Sequence, residues 1–181
     1  MRLASEIEMR DRALIQIVDA ALAEAARKSG TWLVCRPGCY ECCRGPFEIT
    51  QLDARRLRTG LEELQTRDPE RAARVRARAR SSQSGDDELC PALDSKAGTC
   101  DLYQHRPMTC RAFGPPVSCG AEVLGVCELC YHGATDAEIA ACAVEIDPQG
   151  LEPLLIEDVE RATGARGTTS VAACLCDTLE A

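Results

Sequence analysis

Four cysteines fall within nine residues of the chain, and two of them are adjacent: Cys35, Cys39, Cys42 and Cys43. Thiolates bind zinc, iron and iron–sulfur clusters, because these metals accept soft sulfur ligands. Single cysteines often pack as small apolar groups, but four so close together are hard to explain in that way. The group therefore predicts a metal-chelating site.

Three further cysteines follow at intervals of ten residues: Cys90, Cys100 and Cys110. Such wide spacing lets a loop wrap around a site that the first group closes. Seven thiolates would fill two four-coordinate sites that share one sulfur, or four would hold an iron–sulfur cluster and leave three over. The spacing does not choose between zinc and iron, nor between a mononuclear site, a multinuclear site and a cluster.

A helix would bring the thiols of the first group together. If it begins near Pro37, Cys39, Cys42 and Cys43 fall within about 100° of arc on one face. The positive end of that helix would lower the pKa of the three thiols and favour the thiolate. We therefore expect the first group to lie at a helix N-terminus.

A third group gives weaker evidence for a metal: Cys119, Cys127 and Cys130. Cys127 and Cys130 form a C-x-x-C pair, which is typical of a metal knuckle, of the redox dithiol of a thiol sensor, or of packing. We favour the metal knuckle, because the βαβ surroundings of a thioredoxin-like site are not evident. The remaining cysteines fall in predicted helices and are interpreted as packing residues: Cys142, Cys174 and Cys176.

The cysteine pattern resembles that of a known family. It reads C-x3-C-x2-C-C from Cys35, C-P-x-L from Cys90 and G-x-C-x-x-Y-x-x-R-P-x-x-C-R from Gly98. It is similar to the YkgJ-type cysteine-cluster proteins, a zinc- or iron-chelating domain, over roughly residues 33–133. The resemblance implies that seven residues chelate metal: Cys35, Cys39, Cys42, Cys43, Cys90, Cys100 and Cys110. Four more match the family's second signature: Tyr103, Arg106, Pro107 and Arg111.

A relative of this family implies an alternative function. A flagellin lysine methylase carries a similar cysteine motif and is associated with an iron–sulfur cluster. The resemblance thus leaves open an iron- or iron–sulfur-dependent enzyme, or an accessory protein that helps modify a protein or peptide partner. The residues alone do not decide whether a reaction is catalysed: phosphate-loop, metalloprotease and hydrolase motifs are absent, and only two histidines are present.

The composition excludes several other classes of protein. Thirteen cysteines in 181 residues are an odd number, so they cannot all pair within the chain. A net charge of −8 argues against a nucleic-acid partner, and no apolar run is long enough for a membrane span. The charged N-terminal segment lacks a signal core, so we expect a cytoplasmic protein, where dense cysteine indicates metal or redox chemistry. Because Leu, Ile, Val and Phe form only about a fifth of the chain, metal is expected to support the fold.

The hydrophobic pattern predicts a mainly α protein: a small helical domain with an irregular, metal-organised, cysteine-rich central region. We expect a single domain over residues 1–181. It comprises an N-terminal helix over 5–28, a cysteine-cluster core over about 33–133 and a C-terminal helical segment over about 135–181. The first helix is expected to begin at a capping box of Ser5 and Glu8 and to end at Gly30. No convincing strand pair is evident.

Local start and stop signals predict the other helices: from Thr50 toward Gly60, from Pro69 to Arg80, from Thr135 to about Glu145, from Leu151 to Arg161, and over 169–180. The second of these is rich in arginine: Arg71, Arg74, Arg76, Arg78 and Arg80. A basic helix could bind an acidic partner, but no aromatic residues are interleaved. We therefore interpret the arginines as a solvated face.

Overall fold

Most of the described chain is helical, which confirms the predicted fold class. The computed structural model describes residues 2–83, 85–119, 122–124, 126–127 and 129–176, with residues 2, 119 and 122–124 described by their backbone alone. Within these ranges the α-helices are α1 (Arg2–Ser29), α2 (Gln51–Arg67), α3 (Pro69–Ser81), α4 (Met108–Ala112), α5 (Asp136–Cys142), α6 (Leu151–Thr163) and α7 (Val171–Cys176). None of them combines the length and the apolar character that crossing a membrane requires.

Short strands are paired in both halves of the chain, so the expectation of no strand pair was wrong. They are β1 (Glu48–Thr50), β2 (Leu93–Asp94), β3 (Thr99–Cys100), β4 (Val117–Cys119), β5 (Glu122–Leu124), β6 (Val144–Glu145) and β7 (Thr168–Ser170). β1 pairs with β7 and β2 with β3, both antiparallel. β4 pairs antiparallel with β5 and parallel with β6. Two or three residues are too few to show a strand's alternating pattern in the sequence.

The chain divides into two compact units. The first unit comprises Met1–Cys35 and Ala112–Gly164, and the second unit comprises Arg36–Arg111 and Ala165–Ala181. Each unit is therefore built from two separate stretches of chain. The expectation of a single domain remains a prediction.

In the first unit, α1 packs against α5 and α6. Its buried residues recur at helical spacing: Ile7, Leu14, Val18 and Ala25. The helix begins at Arg2, so Ser5 lies inside it and the predicted capping box was wrong. Residues 2–4 are good helix formers, and the helix extends through them by one turn. It ends as predicted, because Gly30 has a φ of +49°.

The later helices of the first unit follow their local signals closely. The predicted helix start at Thr135 is confirmed: Thr135 and Glu138 form a capping box at α5, with each backbone N–H bonded to the other residue's side chain. The helix ends at Cys142, before the predicted Glu145, because residues 144–145 pair with β4 instead. The helix α6 continues two residues beyond the predicted Arg161 and ends at Gly164, which has a φ of +77°.

In the second unit, α2, α3 and α7 surround one apolar core. The core includes Leu57, Leu64, Val75 and Leu175. Two helix starts are confirmed: the Thr50 side chain accepts a hydrogen bond from the backbone N–H of Asp53, and Asp68 caps α3 in the same way. The predicted terminal helix is strand β7 up to residue 170 and α7 beyond it, and its residues 177–180 lie outside the described ranges.

Gly60 lies inside α2 and does not end the helix as predicted, because α2 continues to Arg67. A Cβ atom at position 60 would lie 2.6 Å from Cγ and 2.7 Å from Cβ of His105. The glycine therefore allows the turn that carries His105 to lie against the helix. The His105 Nε2 atom is 3.0 Å from a carboxylate oxygen of Glu63, one helical turn further on.

Candidate metal centre

The first cysteine group lies on two consecutive turns, so the predicted helix at Pro37 was wrong. The backbone N–H of Cys39 donates to the carbonyl of Arg36 at 3.0 Å, and that of Cys43 donates to the carbonyl of Tyr40 at 2.8 Å. The bonds span three residues and are not continued into a helical ladder. No helix N-terminus is present at these thiols, and the predicted lowering of their pKa by a helix dipole has no basis.

The backbone joins the first cysteine group to the second. The N–H of Cys90 donates to the carbonyl of Cys43 at 2.8 Å, and the N–H of Gly45 donates to the carbonyl of Glu88 at 2.9 Å. Between these bonds, Arg44 forms an antiparallel bridge with Leu89. Residues 43 and 90, far apart in sequence, are therefore held side by side.

A hairpin brings Cys100 back toward Cys90. Strands β2 and β3 pair Leu93 with Cys100, and the N–H of Asp101 donates to the carbonyl of Ala92 at 2.7 Å. Both cysteines are partly buried and pack against the apolar core of the second unit. Both cysteines are therefore held in place by the packed core of the second unit.

Cys110 lies in α4, whose start is fixed by a buried carboxylate. Oδ1 of Asp53 accepts hydrogen bonds from the N–H of Met108 at 2.9 Å and from Nη1 of Arg56 at 2.7 Å. Asp53 and Arg56 are both buried. This ion pair on α2 connects the helix that carries Cys110 to the core of the second unit.

Cys110 lies within electrostatic range of three other predicted ligands. Burial raises the pKa of Cys110 strongly, and Cys90, Cys100, Asp53 and Cys42 raise it further through their negative charge. Burial is also the main cause that raises the pKa of Cys90 to about 11 and the pKa of Cys100 above its usual value. Each of these shifts favours the neutral thiol over the thiolate.

The pKa of Cys42 is shifted mainly by Cys43, its neighbour in sequence. A hydrogen bond with the Cys43 side chain is the largest cause that raises the pKa of Cys42, followed by burial. A bound metal ion would reverse this preference, because a cation favours the thiolate and displaces its proton.

The predicted ligands differ in their exposure to solvent. Cys35, Cys39 and Cys42 are exposed, whereas Cys43, Cys90, Cys100 and Cys110 are half-buried. Cys35 belongs to the first unit, where its Sγ lies 3.5 Å from the position that a Cβ on Gly114 would take. Among the residues that the structure describes, no three His, Cys, Asp or Glu side chains already stand at positions that could hold a metal ion. Coordination would therefore require the donor atoms to come closer together than they lie here.

The third cysteine group lies in the first unit. Cys127 and Cys130 are buried in an apolar cluster with Tyr131 and Cys142, and the N–H of Cys130 donates to the carbonyl of Cys127 at 2.9 Å. Thiols buried in apolar surroundings react slowly, which argues against a redox dithiol. The side chain of Cys119 lies outside the described residues. A ligand role for these three cysteines stays a prediction.

The structure adds three residues that the sequence did not single out as part of the site. Asp101 follows Cys100, and its side chain is 1% exposed. Nε of Arg71 donates to one of its carboxylate oxygens and Nη2 of Arg78 to the other, each at 2.5 Å. Nε of Arg78 also donates to the carbonyl of Pro91 at 2.7 Å. The interpretation of these two arginines as solvated was wrong; it holds for Arg74 and Arg80, which are exposed.

The residues of the second signature form the turn between Cys100 and Cys110. The guanidinium of Arg106 lies 4.0 Å from the ring centroid of Tyr103, and its Nη1 donates to the carbonyl of Tyr103 at 2.9 Å. Arg111 is buried, and its Nη2 donates to the carbonyl of Gln104 at 2.7 Å. These contacts fix the shape of the turn and place positive charge near Cys100, whose pKa Arg106 lowers.

Gly98, in the turn between β2 and β3, allows close contact with the first cysteine group. Its φ is +64°, and a Cβ on it would lie 3.0 Å from the Cα and the carbonyl oxygen of Gly38. We expect Gly98→Ala to lower the free energy of unfolding by about 1–3 kcal/mol, because it adds backbone strain and displaces this turn. Urea unfolding with a chelator present measures the effect.

Gly85→Ala is the matched control for this change. Gly85 has no positive φ, and nothing lies within 4 Å of the position of an added Cβ. Equal unfolding midpoints for the two variants would show that the contact between Gly98 and Gly38 carries no stability.

A family model matches the central part of the chain. Residues 34–133, more than half of the chain, fit the family model described as "CxxCxxCC: Putative zinc- or iron-chelating domain". The match covers the span expected from the cysteine pattern and confirms the resemblance to a cysteine-cluster family. No curated protein and no solved structure is matched.

Proposed function

Because this chain belongs to the CxxCxxCC family of zinc- or iron-chelating domains, we propose that its function is to bind one of these metals through its clustered cysteine thiolates. The observation that carries the proposal is the backbone geometry of the second unit, which joins Cys43 to Cys90 by a hydrogen bond and brings Cys100 back toward Cys90 through the β2–β3 hairpin. Cys110 lies within electrostatic range of Cys42, Cys90 and Cys100. Cys42, Cys90, Cys100 and Cys110 come from separate stretches of sequence and belong to the second unit.

The donor set fits either metal. Zinc and iron both accept four thiolates in a tetrahedral arrangement, and Cys42, Cys90, Cys100 and Cys110 supply four. Cys39 and Cys43, in the same unit, add two more donors. A ligand role for Cys35, which belongs to the first unit, stays a prediction. A second site that shares a sulfur with the first would use this surplus.

The exposure of two donors favours a metal that exchanges with its surroundings. Structural zinc sites are closed, with all four ligands supplied by the protein. Here Cys39 and Cys42 are exposed to solvent, so a competing thiolate can approach a metal that these two cysteines bind. We therefore propose uptake and delivery of the metal rather than a purely structural role.

Metal analysis of anaerobically purified protein tests the proposal. We expect at least one zinc or iron ion per chain, together with slow reaction of the site cysteines with a thiol reagent, because coordinated thiolates are protected. After treatment with a strong chelator the same thiols should react quickly. Less than one ion per chain, with every thiol reactive from the start, would contradict the proposal.

An iron-dependent enzyme, or an accessory protein for protein modification, is the alternative. The exposed thiols at one end of the site favour it, since a reacting group needs access to the metal. The visible spectrum of protein expressed in iron-rich medium tests the alternative. The alternative requires thiolate-to-iron absorption, which iron delivery would also give, whereas a colourless protein that contains zinc but no iron excludes the alternative.

A further inference from the structure

We infer that Arg71 and Arg78 of α3, acting through Asp101, are positioning residues for the part of the metal site formed by Cys90 and Cys100. The inference rests on the proposed metal-binding function. It also gives the arginine-rich helix a role that composition alone does not reveal.

Arg78 forms hydrogen bonds with the residues that directly follow Cys90 and Cys100. Its Nε donates to the carbonyl of Pro91, the residue after Cys90, at 2.7 Å. Its Nη2 donates to the carboxylate of Asp101, the residue after Cys100, at 2.5 Å. One guanidinium thus sets the separation of the two segments, which the planar, forked geometry of arginine suits.

Asp101 makes the other hydrogen bonds that join α3 to the β2–β3 hairpin. Its carboxylate is almost fully buried and accepts from Arg71 as well as Arg78. Its backbone N–H donates to the carbonyl of Ala92 at 2.7 Å. Asp101 and Arg78 together therefore hold the segments beside Cys90 and Cys100 against α3. Because each oxygen has its own arginine, removing either arginine leaves part of a buried charge unpaired.

The arrangement matches what a thiolate site needs from its surroundings. Four thiolates around a divalent cation carry a net negative charge, and two guanidiniums against one carboxylate carry a net positive charge. Residues that orient metal ligands commonly change the metal affinity by about 10- to 100-fold when they are replaced. Geometry and charge can be separated here, since lysine keeps the charge of Arg78 but lacks its two-pronged reach.

Zinc affinity, measured by competition with a chromophoric chelator, tests the inference in the full-length protein. We expect both Arg78→Gln and Arg78→Lys to lose at least about tenfold in affinity. The matched control is Arg74→Gln, which removes the same charge from an exposed position of the same helix and is expected to bind zinc as the wild type does. Arg71→Gln removes only one contact to Asp101 and serves as a milder variant if Arg78→Gln does not fold.

Cobalt substitution provides a readout that a purely structural role would not change. In the wild type, Co²⁺ bound to thiolates gives an intense sulfur-to-cobalt absorption. We expect Arg71→Gln and Arg78→Lys to lose intensity per bound cobalt, because Cys90 or Cys100 no longer reaches the ion. A structural role alone would lower the unfolding temperature in chelator and leave the zinc affinity and the cobalt spectrum unchanged.

The outcomes distinguish this inference from the function on which it rests. If the wild type binds zinc and the arginine variants bind it equally well, the positioning role is wrong and the proposed function stands. Full rescue by Arg78→Lys would also overturn the positioning role, since charge would then suffice. If the wild type binds neither zinc nor iron, the proposed function is wrong and the inference falls with it.

Discussion

Cys110→Ser is expected to release the bound metal and to remove most of the folding free energy that the metal supplies. Cys110 is the cysteine whose thiol experiences the charge of Cys42, Cys90 and Cys100 together, and a serine hydroxyl is a poor ligand for zinc or iron. At a metal concentration about a thousandfold above the dissociation constant, the metal's contribution to folding is about 4 kcal/mol. Metal content and thermal unfolding of the anaerobically purified variant measure the effect.

Cys142→Ser is the matched control. Cys142 is also buried, but it lies in the first unit, where its Sγ donates to the carbonyl of Lys28 at 3.4 Å. Serine can keep a hydrogen bond there, so we expect full metal content and a modest loss of stability. If Cys110→Ser instead carries the wild-type amount of metal and melts at the wild-type temperature, Cys110 is not a ligand.

Removing the metal with a strong chelator is expected to loosen residues 36–47 and 89–111 much more than α1. The cysteines of the second unit are joined mainly by turns and by the two-residue strands β2 and β3, which have little stability alone. In contrast, α1 buries a full stripe of apolar side chains. At a zinc concentration about a thousandfold above the dissociation constant, binding adds about 4 kcal/mol.

Hydrogen exchange followed by mass spectrometry measures this change peptide by peptide. With chelator, we expect faster exchange in the two cysteine segments and unchanged exchange in α1, which serves as the internal reference. Adding zinc back should restore protection in the same peptides. Equal exchange with and without metal in the cysteine segments would contradict a metal-supported fold.

Local signals predicted the helix boundaries where one or two side chains decide the outcome. Thr50, Asp68 and Thr135 cap helices as expected, because a capping side chain bonds to a backbone N–H only three residues away. The same reasoning failed at Pro37, whose preference for a first helical turn was not enough. The chain there forms two separate turns, and Gly38 adopts a φ of +89°.

Other parts of the structure depend on residues that are distant in sequence. Gly60 lies inside a helix because the ring of His105 needs its space. Asp101 is 30 residues from Arg71 and 23 from Arg78. No periodicity or capping rule connects positions so far apart, so the sequence left these arginines on a solvated face.

The sequence by itself determined the chemistry of this protein: clustered thiols over a thin apolar core, in an order and spacing that identify a zinc- or iron-chelating family. Ligand type and local spacing are properties of the residues themselves, so they can be read before folding. Only the tertiary structure decided which thiols influence one another and what holds them. Cys43 meets Cys90, and α3 meets Asp101, through hydrogen bonds between segments that come together only when the second unit folds.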